Sequence, residues 1–323
     1  MESRASPLQR IRAALRRWAL CAPAGLQRQV IHRIAVRSYT QCVGRAPDLR
    51  RPRRFSEYVT HRLVYDRDPL LKKISDKLAV RRIIAETVGD QYVVPLLGTW
   101  KRAGEVAWRD LPLPAVFKPT HLSGPFKFLH DLRSIDLEAL MREADGWLGE
   151  DYFDRNAEWA YLGCPRRLVA EPLLLAPDRG PLVEASVFTF HGEPVLIKAL
   201  QGRKGSKERC CLWQDPAGQT PGLSDITPLA RERLAAAEFL RMKRQVDDAR
   251  AEMLDVSARI GSRIPLVRVD FYLTDHGLRI GELTAYPLGG TTRYEPPEWD
   301  ERLGQMLRDS GLRRIARGLP PYA

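Results

Sequence analysis

The stretch that most constrains the fold of this chain is LVRVDFYLTDHGLRIGELTAYPLGG, residues 266–290. Two β-branched and aromatic runs alternate with a period of two on either side of DHG, a tight-turn signal, and this pattern predicts a β-hairpin. Asp270 lies in the first run and Glu282 in the second, so a hairpin could bring both carboxylates to one end of a sheet. Arg268 precedes Asp270 by two residues, and both side chains therefore point to the same face.

Two acids and an arginine on one face of a sheet are costly in a protein core unless they bind something. Paired carboxylates at such a place suit Mg²⁺, which takes a few protein oxygens and completes its shell with phosphate and water. The alternative is a surface hairpin that carries ordinary solvated charges. Support from elsewhere in the chain is needed to favour the metal over the surface hairpin.

The positive charge of the chain is concentrated at its N-terminus. The net charge is +12, and residues 1–54 hold thirteen arginines, no lysine and two acids, so the remaining residues are nearly neutral. Residues 7–20 place apolar side chains at helical spacing with arginines between them, and residues 26–38 predict a second helix. This basic amphipathic arm either docks on an anionic membrane surface or caps the body of the protein. It has no recognised nucleic-acid-binding motif, so nucleic acid is not an expected partner.

The composition is that of a soluble globular protein. The 323 residues are 44% hydrophobic and 28% charged, which is enough to bury a core. No run of 18 apolar residues is present to span a membrane. The five cysteines are odd in number and lack CxxC spacing, which favours reduced thiols and argues against a zinc site. We therefore expect a cytoplasmic protein, peripheral at the inner face of the membrane if its arm binds lipid.

Helices mixed with antiparallel hairpins predict an α+β fold. The predicted helices cover 55–67, 68–89, 135–149, 228–260 (as one helix or two) and about 299–319. The predicted strands lie in YVVPLLGTW, AVFKPTH, RRLVAEPLLL and the hairpin LVEASVFTFHGEPVLIKAL. We divide the chain into a basic arm and linker (1–54), an N-terminal part (55–172) and a C-terminal subdomain with the hairpin and a closing helix (173–323).

Three further stretches carry candidates for chemistry. DKLAVR contains Lys77, and FKPTHLSG places Lys118 at the end of a strand before a Ser/Gly loop, where a lysine can clamp nucleotide phosphates. LVAEPLL ends a strand at Glu171, before a backbone segment that could read an adenine edge. Each stretch is a weak signal alone, but their order and spacing relative to the hairpin are specific.

The order Lys77, Lys118, Glu171, Glu184, Arg268-x-Asp270 and Glu282-x-Thr284 resembles the ATP-grasp superfamily as seen in D-alanine–D-alanine ligases. The chain is most similar to the TupA-like branch, named for teichuronopeptide biosynthesis, and the resemblance covers about residues 52–304. It is carried by DRDPLLKKISDKLAVR, VVPLLGTW, FKPTHLSG, EWAYLGCPRRLVAEPLLL, FTFHGEP, VRVDFY, GELTAYPLGG and EWDERLG. The resemblance implies two α+β subdomains that clamp a nucleotide.

The resemblance also implies which residues bind ATP. Two lysines hold its phosphates, a small-residue flap formed by loop 120–127 closes over them, and two glutamates and a backbone segment hold the adenosine. In this sequence these residues are Lys77 and Lys118 for the phosphates, Ser123 and Gly124 in the flap, Glu171 and Leu173 at the adenine, and Glu184 at the ribose.

The metal and catalytic roles implied by the resemblance fall on the hairpin. Asp270 and Glu282 match the Mg²⁺ ligands, with Thr284 as a further oxygen donor, and Arg268 matches the arginine that stabilises the transferred phosphoryl group. Arg209, in the basic loop GRKGSKERCC, is a second candidate phosphate or substrate contact, with Lys207 beside it.

Two positions depart from the branch. Thr284 stands where the metal motif usually has asparagine, which makes a second Mg²⁺ less certain. Leu122 replaces a flap glycine, so the flap should be stiffer or its backbone less close to phosphate.

The activity implied by the resemblance is ATP-dependent ligation of a carboxylate to an amine through an acyl phosphate, with ADP as a product, on a surface polysaccharide or its precursor. Two alternatives remain. One is an ATP-grasp kinase that phosphorylates a sugar hydroxyl. The other is a non-catalytic ATP-binding adaptor at the membrane surface, which the complete set Lys118, Arg268, Asp270 and Glu282 argues against.

Overall fold

The computed structural model describes residues 23–153, 157–201, 210–222, 224–225 and 236–317. The helices are α1 (Ala24–Val43), α2 (Phe55–Tyr65), α3 (Pro69–Ser75), α4 (Ala79–Val88), α5 (Leu137–Gly149), α6 (Ala236–Gly261) and α7 (Glu298–Ala316). The strands are β1 (Gly98–Trp100), β2 (Ala115–Pro119), β3 (Lys127–Leu129), β4 (Leu168–Pro172), β5 (Val183–Phe190), β6 (Glu193–Gln201), β7 (Cys210–Gln214), β8 (Ser224–Asp225), β9 (Leu266–Thr274), β10 (Gly277–Thr284) and β11 (Tyr294–Glu295). This mixture of helices and antiparallel strands confirms the predicted α+β class.

The larger sheet is antiparallel, with the strand order β10-β9-β5-β6-β7. It contains the hairpin predicted over 266–290, formed by β9 and β10, and the hairpin formed by β5 and β6. Along β9 buried apolar residues alternate with partly exposed polar ones. Helix α6 contacts β5, β6 and β9, and its buried residues Val246, Met253 and Val256 belong to the same apolar core. The polar residues of β9 therefore lie on the opposite face of the sheet from that core.

The smaller sheet has the order β1-β4-β2-β3 and its own apolar core. Phe117 of β2 is fully buried and packs against the rings of Trp108 and Trp147. Two sheets with separate cores agree with the expected pair of α+β subdomains. The boundaries 1–54, 55–172 and 173–323 remain predictions.

Two local predictions are wrong. The single helix expected over 68–89 is two helices, α3 and α4, separated at Asp76. The Asp76 carboxylate accepts a hydrogen bond from the N–H of Leu78, and this side-chain turn competes with a continuous helix. The strand expected in YVVPLLGTW is reduced to β1, because Pro95 cannot donate to a ladder. Only an isolated bridge joins Val93 to Ile280.

The described part of the arm is a helical cap. Helix α1 is longer than predicted, and it buries Ile31, Ala35 and Tyr39 against the body. The Tyr39 hydroxyl lies 2.9 Å from the Ser56 hydroxyl, and Ser56 donates to both oxygens of Asp300 in α7, at 2.8 Å from its N–H and 2.5 Å from its hydroxyl. The predicted first helix of the arm, residues 7–20, lies outside the described residues.

We expect Ser56→Ala to destabilise the protein by roughly 1–3 kcal/mol, because the buried Asp300 carboxylate loses one of its two donors and Tyr39 loses its partner. Thr40→Ala is the control, since its hydroxyl bonds only to the Val36 carbonyl on the exposed side of α1. Denaturant unfolding measures both variants. If Ser56→Ala and Thr40→Ala lost equal stability, the Tyr39–Ser56–Asp300 hydrogen bonds would make no specific contribution to the stability of the protein.

Two other sequence expectations can be compared with the structure. Within the described ranges no helix is long and apolar enough to cross a membrane. Cys42, Cys164 and Cys211 are free thiols.

Candidate nucleotide and metal site

The hairpin places four polar side chains in one hydrogen-bonded network. Asp270 and Glu282 are directly opposite each other in the β9–β10 register, as are Arg268 and Thr284. Arg268 donates to both oxygens of Asp270, at 2.7 Å from Nε and 2.6 Å from Nη2, and to the Thr284 hydroxyl at 3.0 Å. The Thr284 hydroxyl oxygen lies 2.7 Å from Glu282 Oε1 and 3.1 Å from Asp270 Oδ2.

The network is suited to a hard cation. Its donors are two carboxylates and a hydroxyl, which are the oxygen ligands that Mg²⁺ prefers. No group of three His, Cys, Asp or Glu side chains that could hold a metal occurs in the described ranges, so such an ion would take the rest of its shell from phosphate and water. Burial disfavours the charged form of Arg268, but Asp270 and Glu282 outweigh it and raise the pKa of the guanidinium above its ordinary value.

A β-bulge next to Glu282 makes room for an aromatic ring. The register shifts between Ile280 and Glu282, so Gly281 lies in the bulge. A β-carbon on Gly281 would lie 2.4 Å from Cε2 of Tyr272. Glycine at this position therefore lets the Tyr272 ring lie against β10, on the same strand face as Asp270. Glu184, the predicted ribose ligand, is exposed and directly opposite Tyr272 on β5.

Three of the predicted ATP ligands come together at the edge of this hairpin. Lys118 of β2 and Glu171 of β4 form an ion pair at 2.5 Å, and Arg81 of α4 contacts the other Glu171 oxygen at 3.2 Å. With Lys77, these side chains line a cavity of about 10 Å³ whose other walls include Gly281. That volume holds about one water molecule.

The flap is anchored at one side and exposed at its tip. Leu122 is buried in the core of the smaller sheet, and its carbonyl accepts a hydrogen bond from Lys77 Nζ at 2.7 Å. Ser123 and Gly124 are exposed, and Gly124 has a φ of 118°, which favours glycine. Buried Leu122 thus fixes the start of loop 120–127, the predicted flap, whereas Ser123 and Gly124 are exposed.

The backbone of Leu173, predicted to contact the adenine, is already hydrogen-bonded. The N–H of Leu173 donates to the carbonyl of Pro114 at 3.0 Å and extends the pairing of β4 with β2, so it is not available to an adenine in this arrangement. Arg209 and the neighbouring Lys207 lie outside the described residues.

The structure adds a buried acid that the sequence did not single out. Glu158 is 6% exposed, and burial, followed by the charge of Glu282, raises its pKa to about 8 against the opposing effect of Arg268. Burial and the charges of Glu282 and Glu158 also raise the pKa of Tyr161. Both residues lie in EWAY, a motif that carried the resemblance but suggested no role for them.

Lys198 is a second addition. Strand β5 lies between β6 and β9, and its residue Ser186 is opposite Lys198 of β6 and also opposite Asp270 of β9. Lys198, Ser186 and Asp270 therefore form one row across the sheet. The Nζ of Lys198 is 5.0 Å from the centre of the Trp213 ring. Alternation in VLIKAL predicted the strand but could not indicate that this row passes through Asp270.

A wider cavity, of about 450 Å³, lies between α2 and α7. Apolar side chains such as Tyr58 and Leu307 line it together with the charged side chains of Arg62, Asp66 and Arg308. None of the residues predicted to bind ATP or metal lines it. We therefore place the candidate site at the hairpin, where the acids and lysines meet.

The sequence profile of the TupA-like ATPgrasp family matches residues 57–308, and the chain belongs to this family. Membership makes it an ATP-grasp protein and supports ATP-dependent ligation as its class of reaction. Among curated proteins no match was found.

The chain is similar to several solved structures. D-alanine–D-alanine ligase from Bacillus anthracis complexed with ATP is 14% identical with a TM-score of 0.37, and the match covers 68% of this chain and 57% of the ligase. A second structure of that ligase has a TM-score of 0.40 at 14% identity, with 76% and 67% covered. The ATP-grasp ligase PsnB complexed with a minimal precursor is 12% identical with a TM-score of 0.39, with 75% and 62% covered. The chain thus spans 57–67% of the length of these proteins.

Proposed function

We propose that this protein is an ADP-forming carboxylate–amine ligase that works through an acyl phosphate. The observation that carries the proposal is the Arg268–Asp270–Glu282–Thr284 network, with Lys118 and Lys77 at its edge. Such a set can hold polyphosphate and neutralise charge, and a reaction through an acyl phosphate needs no side-chain nucleophile. Family membership supports this class of reaction.

In the proposed reaction a substrate carboxylate oxygen attacks the γ-phosphorus of ATP, and ADP leaves with the electron pair of the broken P–O bond. The nitrogen of an amine then attacks the acyl carbon, phosphate leaves, and the proton lost from nitrogen passes to solvent. Lys118 and Lys77 bind the phosphates. Arg268 offsets the negative charge that develops in both transition states.

The residues present fit a magnesium ion at the hairpin. Asp270 and Glu282 would hold it with the Thr284 hydroxyl, and the bound ion would supply positive charge to the ATP phosphates. Arg268 donates two hydrogen bonds to Asp270, so the guanidinium holds the carboxylate in place and limits the repulsion between the two acids.

We further propose that the carboxylate belongs to a sugar acid in a cell-surface polysaccharide or its precursor and that the amine is an amino acid. This part of the proposal rests on the resemblance of the sequence to the TupA-like branch, which is named for teichuronopeptide biosynthesis. Phosphate release measured across a panel of sugar acids crossed with amino acids tests the proposal, and product mass identifies the bond formed. A phosphorylated sugar made without any amine would instead show a kinase, and ATP binding without turnover on any pair would show an adaptor.

Nucleotide binding should depend on the metal. We expect calorimetry to show ATP binding that weakens sharply when Mg²⁺ is withheld, because Asp270 and Glu282 then repel the phosphates instead of sharing a cation with them. Mg²⁺-independent affinity would contradict the assignment of these two acids.

The arm is a proposed membrane contact. Arg28, Arg33 and Arg37 are exposed on α1, whereas Ile31 and Tyr39 are buried, so removal of α1 would damage the body. A variant lacking residues 1–22 together with Arg28→Gln, Arg33→Gln and Arg37→Gln should lose co-sedimentation with anionic liposomes and keep its ATP affinity. If the full chain did not bind such liposomes at low salt, the membrane proposal would be wrong and the role of the arm would be structural.

A further inference from the structure

The cavity between α2 and α7 is large enough to hold a small molecule. Its volume is about 450 Å³, and ligand pockets in proteins span about 300–1,000 Å³. Three parts of the fold line it: α2 with the residue that follows it, the turn between β5 and β6 with the start of β9, and α7. None of the proposed ATP or metal ligands belongs to this lining, so the cavity has no role in the proposed reaction.

Arg62 of α2 brings a buried positive charge to this cavity. The residue lines the cavity and is only 6% exposed. Its Nε donates to Asp66 at 3.2 Å, and its Nη1 donates to the backbone carbonyls of Leu266 and Ala285. The carbonyls carry no net charge, and the Asp66 side chain is 33% exposed. The charge of Arg62 is therefore only partly compensated by a counter-ion that water also solvates.

One nitrogen of the Arg62 guanidinium still lacks an acceptor. A guanidinium has five N–H donors, and no hydrogen bond among the described residues uses Nη2 of Arg62. This nitrogen is not one of the fully buried atoms without a partner, so it keeps access to the space that Arg62 lines. Because Nε and Nη1 are already held by protein groups, Nη2 is oriented before any ligand arrives. Since buried polar groups are nearly always hydrogen-bonded, Arg62 indicates a missing acceptor at the cavity.

The charged side chains that line the cavity favour a single negative charge on its ligand. Arg62 and Arg308 are positive and Asp66 is negative, so the lining carries 2 − 1 = +1. His61 and His191 also line the cavity, but burial lowers the pKa of both imidazoles, and at neutral pH they add no charge. A monoanion balances the excess positive charge, whereas a phosphate ester, at close to two negative charges, exceeds it.

The remaining lining is apolar and rich in rings. Tyr58, His61 and Tyr65 recur on α2 at helical spacing, so they share one face of the helix. The rings of His61 and Tyr65 lie 4.8 Å apart between their centroids. Pro265 and Leu307 add aliphatic surface. Walls of this kind suit a ligand whose body is apolar and contains a ring, with one polar group to fix its orientation.

From this geometry we infer that the cavity between α2 and α7 binds a small organic monocarboxylate with an apolar, ring-containing body, and that Nη2 of Arg62 donates to its carboxylate. The carboxylate supplies both the missing acceptor and the balancing charge, and the body lies against the apolar walls. Binding at this cavity requires neither ATP nor the proposed ligase reaction.

Calorimetry on the full-length protein without nucleotide tests the site. The probe is 4-phenylbutyrate, compared with 4-phenylbutanamide, which has the same shape without the charge, and with 3-phenylpropyl phosphate, which is a dianion at pH 8. Gly311→Met places a flexible side chain in the cavity, where an added β-carbon already lies 3.1 Å from Nε2 of His191. Gly146→Met is the matched control, since Gly146 is also helical and an added β-carbon there meets nothing within 4 Å. Arg62→Lys keeps the positive charge and removes the fork of donors.

We expect the carboxylate to bind roughly 10- to 100-fold more tightly than the amide, the ratio typical of one hydrogen bond to a charged group. The carboxylate should also bind more tightly than the phosphate. Arg62→Lys should lose part of the preference for the carboxylate over the amide. Gly311→Met should lose carboxylate binding, whereas Gly146→Met should keep it, and denaturant unfolding of both variants shows that they are folded.

Several results would overturn this assignment. Equal affinities for the carboxylate and the amide, tighter binding of the phosphate, or no binding of the carboxylate at millimolar concentration would reject a monocarboxylate site. Unchanged binding in a folded Gly311→Met variant, or an equal loss in Gly146→Met, would show that the ligand does not occupy this cavity. If Gly311→Met does not fold, Arg62→Lys decides the question, because unchanged affinity and unchanged preference over the amide would remove Arg62 from the site.

Discussion

Replacing Arg268 with alanine should lower turnover by roughly 10²–10³ and leave the dissociation constant for Mg·ATP within a few-fold of its original value. The guanidinium lies beside Asp270 and Thr284, next to the proposed position of the transferred phosphoryl group. Negative charge develops there as the phosphoryl group moves and as the acyl centre becomes tetrahedral. A fixed guanidinium stabilises this charge without reorganising, whereas it has no contact with an adenine bound at the Glu171 side of the cleft.

Two further variants test whether the Arg268 guanidinium contributes more than its positive charge. Arg268→Lys should recover only part of the lost rate, because an ammonium cannot reproduce the two parallel hydrogen bonds to Asp270. Arg279→Ala is the matched control, since Arg279 lies on the same hairpin but donates to the carbonyls of Gln91 and Leu278, outside the network. Single-turnover kinetics with saturating ATP measures the rate, and calorimetry measures affinity. Loss of ATP binding in Arg268→Ala, or unchanged turnover, would mean that the hairpin has a different role.

Replacing Lys118 with alanine should weaken Mg·ATP binding by roughly 10- to 100-fold, because one charged contact to phosphate is lost. In the absence of nucleotide, Lys118 neutralises Glu171 in a narrow space that Arg81 also enters. In Lys118→Ala, Glu171 would keep Arg81 as its partner, so we expect the fold to survive.

Lys243→Ala is the control for this prediction. Lys243 lies on α6, which packs on the opposite face of the larger sheet from the polar residues of β9, and it pairs with Asp247, which Arg250 also contacts. The loss of Lys243 should leave ATP affinity unchanged. Equal affinities for Lys118→Ala and the unmodified protein, measured by calorimetry with Mg²⁺ present, would remove Lys118 from the phosphate site.

The strongest periodic signals in the sequence were sufficient for the fold class. Alternation around DHG and around His191–Gly192 predicted both hairpins of the larger sheet, because a half-buried strand requires a period of two. The same alternation placed Arg268 and Asp270 on one face. The break at Asp76 was missed because a short side-chain hydrogen bond outweighed an otherwise good helical pattern. Helix propensities do not include the competition between this side-chain hydrogen bond and the backbone hydrogen bonds of a continuous helix.

At the candidate site, the residue types along each strand could be read from the sequence, but which of these residues meet depends on how the strands and helices pack. The hairpin register places Asp270 opposite Glu282, but the pairing of Lys118 with Glu171 depends on two strands more than fifty residues apart. Glu158 had no sequence signal as a site residue, since its environment is made by Glu282 and the 287–290 turn, which are remote in the chain. Burial and charge are properties of the assembled neighbourhood, and they raise the pKa of a glutamate that is ordinary in the sequence.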